Sequence, residues 1–493
     1  MKKQVKRLLA CLTLCALLLG GLSVPAAAAG GFADVPANHW AAPSIRRCVA
    51  LGFFKGETAS RFGVGHPMTR AAFTVVLCRF FGWETAAPVQ SAYTDVPVGA
   101  WYAGAVQAAR EHGAITDQRP EFRPGDAVTR EELAVMLIRA LGYGAIAGLA
   151  QDLPVTFQDV TTNAGYLTMA CDLGLMSGVS AEAFAPQRTA PREQVAVILM
   201  RLYDKLHAPA PEKVGILSPE ELPETLSGYK ALAVSGGRLT GTGSVSVPQD
   251  KVSAEAQAAI RASGAKALLH VKGSALKGTA AETAAKLAEA VEKGGWDGLL
   301  LDIPGLKNPQ KQAMTQLTQM LKPALDGKLL YVTAEAPAWQ GTVYDGYDYA
   351  ALSEAADRLI LRVASHRGSG SYPAAAVEPL EELYYALAQL QSSVKEEKLS
   401  ILLTTEPSVW VNGKAGSMDK AGLESLLRSG RLERHYSDRY ACAYLSGTDS
   451  GGRALMVWYL DEASLAQRER MAKLFGVTQV TAANAVPFTM PEN

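Results

Sequence analysis

Two hydrophobic rhythms divide the chain. From Phe32 to about residue 205, apolar positions recur every three or four residues in short stretches, the spacing that lines one face of an α-helix. The same pattern occurs three times. FADVPANHWAAPSIRRCVALGFFKG starts at Phe32, YTDVPVGAWYAGAVQAAREHGAITD at Tyr93 and FQDVTTNAGYLTMACDLGLMSGV at Phe157. Each predicts a helix ending near Gly52, Gly113 or Gly174, where glycine suits a C-cap. A loop follows (RFGVGHP, EFRPGDA, AFAPQRT), and then a second amphipathic helix opens at TRAAFTVVLCRFFG, TREELAVMLIRALG or PREQVAVILMRLYD. Thr69 and Thr129 are its N-caps, Thr129 with Glu132 forms a capping box, and Pro191 suits a first turn.

HAPAPEK, residues 207–213, reads as a proline-punctuated linker, and beyond it the rhythm changes. YKALAVSGG, AKALLHVKG, WDGLLLDIP, KLLYVTAEAP, RLILRVASH, KLSILLTTEP and TQVTAANAV are short apolar runs suited to buried parallel strands. Helical stretches such as ETAAKLAEAVEKGG and PQKQAMTQLTQMLKPALD lie between several of them. Strand and helix alternating over this length predict a TIM-type (β/α)8 barrel, with a doubly wound sheet as the alternative. The alternative needs a phosphate loop. Gly241-Thr242-Gly243 lacks the third glycine and opens no helix, so it reads as a turn. The expected fold is multidomain: an all-α assembly of repeats over 30–90, 91–150 and 151–206, then a barrel over 214–493.

The first 29 residues have a different character. Lys2, Lys3, Lys6 and Arg7 precede an apolar run from Leu8 to Leu22, and Ala27 and Ala29 occupy A-x-A cleavage positions. This predicts a secretory signal peptide and an extracellular mature protein without a membrane span. Lysine plus arginine and aspartate plus glutamate both total 48 of the 493 residues, so no basic excess points to nucleic acid. Cys48, Cys78, Cys171 and Cys442 form no C-x-x-C, and the histidines form no H-x-x-x-H, so neither metal nor cofactor is expected.

The three repeats resemble S-layer homology domains, through the aromatic-x-D-V start, the tryptophan, the glycine and the T-R pair in order. Three in tandem is that family's usual complement. The resemblance implies a three-lobed helical assembly whose grooves bind an anionic secondary cell-wall polysaccharide attached to peptidoglycan. A guanidinium would fork onto a ligand carboxylate while an aromatic face stacks on a sugar. Position by position, Arg70, Arg130 and Arg192 match the T-R arginine. Trp40 and Trp101 match the tryptophan, with Tyr166 as the counterpart in the third repeat. The family's T-R-A-E keeps its glutamate only at Glu132; Ala72 and Gln194 replace it elsewhere. Taken without the resemblance, such arginines pair locally and Asp34, Asp95 and Asp159 serve turns and caps.

WDGLLLDIPG, from Trp296, resembles the D-G-x-D-x-D-x-E strand of glycoside hydrolase family 18, toward its spore-germination and cortex-lytic branch. YDYAALSEAADRLILRV from Tyr347 and RALMVWYLDEASLAQRERMAKLFGVTQV extend the similarity to residues 213–487. Positions 300, 302 and 304 share one strand face and are acidic or polar in active relatives. Here they are Leu300, Asp302 and Pro304. Asp302 matches the aspartate that orients the substrate's acetamido group, whereas Pro304 stands where the general acid belongs and has no proton to give. The resemblance therefore implies a barrel that binds an amino-sugar glycan, or acts as a scaffold, without the family's catalysis. Two alternatives stay open. Glu335 and Glu406, at ends of different strands, could form a relocated acid–base pair in an active peptidoglycan or chitin-type hydrolase. The chain could also be a purely structural surface-layer component.

Overall fold

The computed structural model describes residues 31–483, apart from 117–118, 154–155, 221–225, 242, 248–250, 275, 277, 365–375 and 405. The predicted signal peptide lies outside the described residues. The chain divides into two compact units, with Tyr203 closing the first and Asp204 opening the main body of the second.

In the first unit, each repeat contributes the predicted pair of helices. They span Ala42–Ala50 and Arg70–Phe81, Ala103–Glu111 and Arg130–Ala140, and Ala164–Asp172 and Arg192–Leu206. Thr69 and Thr129 accept the backbone N–H of Ala72 and Glu132, and Glu132 returns a bond to Thr129 N–H at 3.0 Å. Gly52, Gly113 and Gly174 sit at φ 76°, 70° and 65°, a left-handed conformation that glycine adopts without strain and other residues seldom do. Isolated β-bridges Thr69–Ala127, Thr129–Thr189 and Pro67–Pro191 tie repeat to repeat and close a ring of three.

The second unit is a closed barrel. Its strands are β1 (Glu212–Leu217), β2 (Tyr229–Leu239), β3 (Val245–Ser246), β4 (Lys266–Gly273), β5 (Gly298–Asp302), β6 (Leu329–Glu335), β7 (Arg358–Arg362) and β8 (Leu399–Leu403). These are followed by β9 (Ser408–Val411), β10 (Lys414–Gly416), β11 (Glu433–Ser437), β12 (Cys442–Thr448), β13 (Ala454–Tyr459) and β14 (Gln479–Ala482). The order β1-β14-β8-β7-β6-β5-β4-β2 closes through a β1–β2 pairing, with β3 added antiparallel to β2. Closure excludes the doubly wound alternative. β1 begins at Glu212, inside the expected linker, because the apolar run that follows needs both neighbouring strands for its backbone bonds.

Val214, Ile216, Ala231, Ala233, Leu268, Leu300, Tyr331, Ile360 and Leu402 fill the barrel interior. Gly298 is where β5 and β6 crowd: a Cβ there would come within 2.4 Å of the Leu329 carbonyl oxygen. An unexpected element sits between the last two barrel strands. β10-β9-β13-β12-β11 form an antiparallel sheet covered by the helix Lys420–Ser429, with its own core of Leu423, Leu427, Leu445 and Val457.

Candidate functional site

In a barrel, chemistry gathers at the C-terminal ends of the strands. β5 ends at Asp302, so Leu300 points into the core, Asp302 lies at the upper edge and Pro304 follows on the exposed loop. Asp302 is 2 % exposed and fully engaged. Thr333 Oγ1 donates to its Oδ1 at 2.6 Å, and Arg362 Nη2 donates to both oxygens at 2.9 and 3.0 Å. His270 Nε2 stands 3.5 Å from Oδ2, with no closer hydrogen-bond partner among the described residues. Burial works to raise the carboxyl pKa, yet His270, Arg362 and Thr333 outweigh it and hold Asp302 far below the usual carboxylate range.

Arg362 also reaches the neighbouring strand. Its Nη1 donates to Glu335 Oε1 at 3.2 Å. The Tyr347 hydroxyl lies 2.7 Å from Glu335 Oε2 and 2.8 Å from the Ile303 carbonyl. Burial and the Glu335 charge push the Tyr347 phenol up, so it stays protonated as a donor. The structure thus brings Asp302 and Glu335 together on one guanidinium. Glu406 differs: it is exposed on the segment leading to β9, its backbone N–H bonded to Thr404 Oγ1 at 3.2 Å. Arg362, His270, Thr333 and Tyr347 escaped the sequence reading. The available signal was a polar residue at an inward position of an otherwise apolar strand, as in LLHVKG and RLILRV.

The tryptophans of the second unit lie in different surroundings. Trp296 is buried, and Trp410 and Trp458 belong to the inserted sheet, where they pack in one cluster with Leu460 and Cys442. Trp339 is half-buried beyond β6 and stacks on Tyr385 with ring centroids 6.0 Å apart. Glu382 accepts the Trp339 and Gln340 N–H groups at 2.7 and 2.8 Å and fixes this loop.

In the repeats, the three matched arginines are engaged by backbone carbonyls. Arg70 Nε donates to the Phe122 carbonyl, Arg130 Nε to Phe184 and Arg192 Nε to Phe62, at 2.9, 3.0 and 2.9 Å. Each arginine therefore clasps the loop of the next repeat, and the third returns to the first. The guanidinium carbons lie 4.9, 4.5 and 5.0 Å from the same three phenylalanine rings. Arg70 adds an ion pair to Glu132 at 2.8 Å, Arg130 a bond to the Ser177 carbonyl and Arg192 one to Lys55. An inward arginine beside carbonyls satisfies its donors locally, which the motif alone could not distinguish from a ligand grip.

Asp34, Asp95 and Asp159 hold the same loops from within each repeat. Asp34 accepts from Phe62, Gly63 and Val64 N–H, Asp95 from Phe122 and Arg123, and Asp159 from Phe184 and Ala185, all within 3.0 Å. Tyr166 is buried under Arg139 and bonded to the Gly144 carbonyl at 3.2 Å, so it presents no open face. Trp40 and Trp101 do: they are 60 % and 69 % exposed. A groove of about 410 Å³ runs along the Arg130–Ala140 helix, with Arg119, Arg123 and Arg139 among its walls.

No helix among the described residues is long and apolar enough to cross a membrane. An "Endoglucanase" of Bacillus sp. (strain KSM-635) is 29% identical over 265 residues, 50% of this chain and 27% of that protein. A "Cell surface protein" of Thermoanaerobacter kivui is 29% identical over 204 residues (40% and 24%), and an "S-layer protein" of Bacillus thuringiensis subsp. finitimus 27% over 194 (38% and 23%). The chain spans about a quarter of the length of each of these relatives. Among solved structures, the spore cortex-lytic enzyme SleL of Bacillus cereus superposes with a TM-score of 0.48 at 16% identity, covering 56% of this chain and 72% of its own. A chitinase from Chromobacterium violaceum gives 0.48 at 16%, covering 58% and 96%. Over residues 31–74 and 92–134, within the first two sequence repeats, the chain matches the model of the S-layer homology domain.

Proposed function

We propose that this is an exported cell-wall protein. The ring of repeats attaches it to an anionic secondary wall polysaccharide on peptidoglycan, and the barrel is displayed without glycosidase chemistry, as a glycan-binding module or scaffold. One observation carries the reading of the barrel: Arg362 ties Asp302 and Glu335 to one guanidinium, while Pro304 stands where a proton donor is needed. Asp302, held far below the usual carboxylate range, is a poor general acid at neutral pH because its proton is already lost. The S-layer homology match supports wall attachment, as do relatives named for the cell surface. The exposed rings of Trp40 and Trp101 offer sugar-stacking faces, and the groove along the second repeat, where Arg70, Arg119, Arg123 and Arg139 outnumber Glu131 and Glu132, suits an anionic chain.

The test is co-sedimentation of the full chain with purified cell walls. It should pellet with intact walls and stay in solution once the anionic polymer is stripped. Trp40→Ala with Trp101→Ala should weaken binding by about tenfold or more, the equivalent of ~1.4 kcal/mol. Undiminished binding to stripped walls would contradict attachment through the polysaccharide.

A further inference from the structure

Above β2 and β4 lies a cavity of about 630 Å³ that the glycosidase-like residues do not explain. Ser235, half-buried in the second half of β2, and His270, on β4, both line it. Ser235 Oγ is 2.9 Å from His270 Nδ1, and His270 Nε2 is 3.5 Å from Asp302 Oδ2. Serine, imidazole and carboxylate thus form a continuous line across three adjacent strands, β2, β4 and β5. The β2–β4 register shifts between Ser235 and Gly237, with Gly236 at φ 137°. A bulge of this kind re-aims the side chain beside it and is common next to active sites.

We propose that Ser235, His270 and Asp302 form an acyl-transfer relay that cleaves a short-chain acyl ester bound in this cavity. Asp302 is the positioning residue. Once the 3.5 Å gap tightens, it takes the His270 Nε2 proton as a hydrogen bond and leaves the Nδ1 lone pair facing Ser235. Burial lowers the His270 pKa, so the ring is neutral and able to act as a base. Ser235 Oγ attacks the acyl carbon as its proton passes to Nδ1. The ester C–O bond breaks, and the same proton leaves with the alkoxide as alcohol. Water then attacks acyl-Ser235, gives its proton to His270, and releases the acid with Ser235 restored. Lys272, two positions along β4 from His270, lines the cavity and supplies positive charge for the developing oxyanion. Leu239 is the one large apolar side chain among the lining residues, so a long acyl chain finds no extended apolar slot. Arg238 and Glu220, also on the walls, suit a hydroxylated leaving group. The 3.5 Å gap to Asp302 is of the loose kind that tightens when substrate fills such a site.

The experiment treats the full chain with a fluorophosphonate and reads intact mass and the modified peptide. One adduct on Ser235 is expected. Ser235→Ala should abolish it with an unchanged melting temperature, and His270→Gln should slow labelling about a hundredfold or more. The charged groups facing His270 are Asp302, which raises its pKa, and Lys272 and Arg362, which lower it. Asp302→Asn should therefore slow labelling and also move its rise with pH to lower pH, a shift that simple loosening of the fold would not give. No adduct, an adduct that persists in Ser235→Ala, or labelling indifferent to His270→Gln overturns the proposal. Wall attachment and the absence of glycosidase turnover stand or fall separately from this result.

Discussion

Arg362 decides the chemistry of the barrel mouth at the scale of single residues. One guanidinium, 28 % exposed at its side chain, serves two carboxylates that are 2 % and 8 % exposed as residues. Removing one partner from such a network leaves buried charge without compensation, at a cost of about 3–5 kcal/mol. Arg362→Ala should lower barrel stability by about that amount in urea titrations followed by tryptophan fluorescence. A loss under about 1 kcal/mol would mean that Asp302 and Glu335 do not carry the buried charge assigned to them. The same residue marks a limit of the sequence. Asp302 was legible as an inward strand-end carboxylate, but its partner sits sixty positions later on another strand, and only the parallel register of β5, β6 and β7 brings them together.

Loops and helices show a second division between what is local and what is not. Helix starts at Thr69 and Thr129 and the turns at Gly52, Gly113 and Gly174 were legible, because capping and positive φ are set by a few adjacent residues. The arginine clasp was not, since its acceptors are carbonyls of the next repeat. The inserted sheet was also missed: SVW and ALMVWY carry the same short apolar signature as barrel strands, and only pairing direction separates them. The carboxylate–loop bonds give an element-level prediction. Burial works to raise the Asp34 pKa, but three backbone N–H donors dominate and bring it from 3.8 to about 2. A depressed folded pKa stabilises above the unfolded value and is lost as pH falls through the folded one. The melting-temperature gap between the natural chain and Asp34→Asn should therefore be constant above about pH 5 and close toward about pH 2. A gap that widens on acidification would contradict this role.

For the whole molecule, the sequence revealed the plan better than the sites. Repeat periodicity and alternating strands and helices separated a ring of repeats from a barrel, because both follow from the spacing of apolar residues. Which polar groups remain available for chemistry depends on closure of each unit. The ring engages its three arginines, and the barrel engages Asp302 and Glu335. The central claim is that the barrel hangs from the wall without cleaving glycosidic bonds. The most direct measurement is release of reducing ends by the purified full chain from peptidoglycan and from N-acetylglucosamine oligosaccharides. The account predicts no turnover by the natural protein and at most a weak activity in Pro304→Glu, since Leu300 still blocks the inward face. Turnover by the natural chain that disappears in Glu335→Gln or Glu406→Gln would contradict it and establish a glycosidase working through relocated carboxylates.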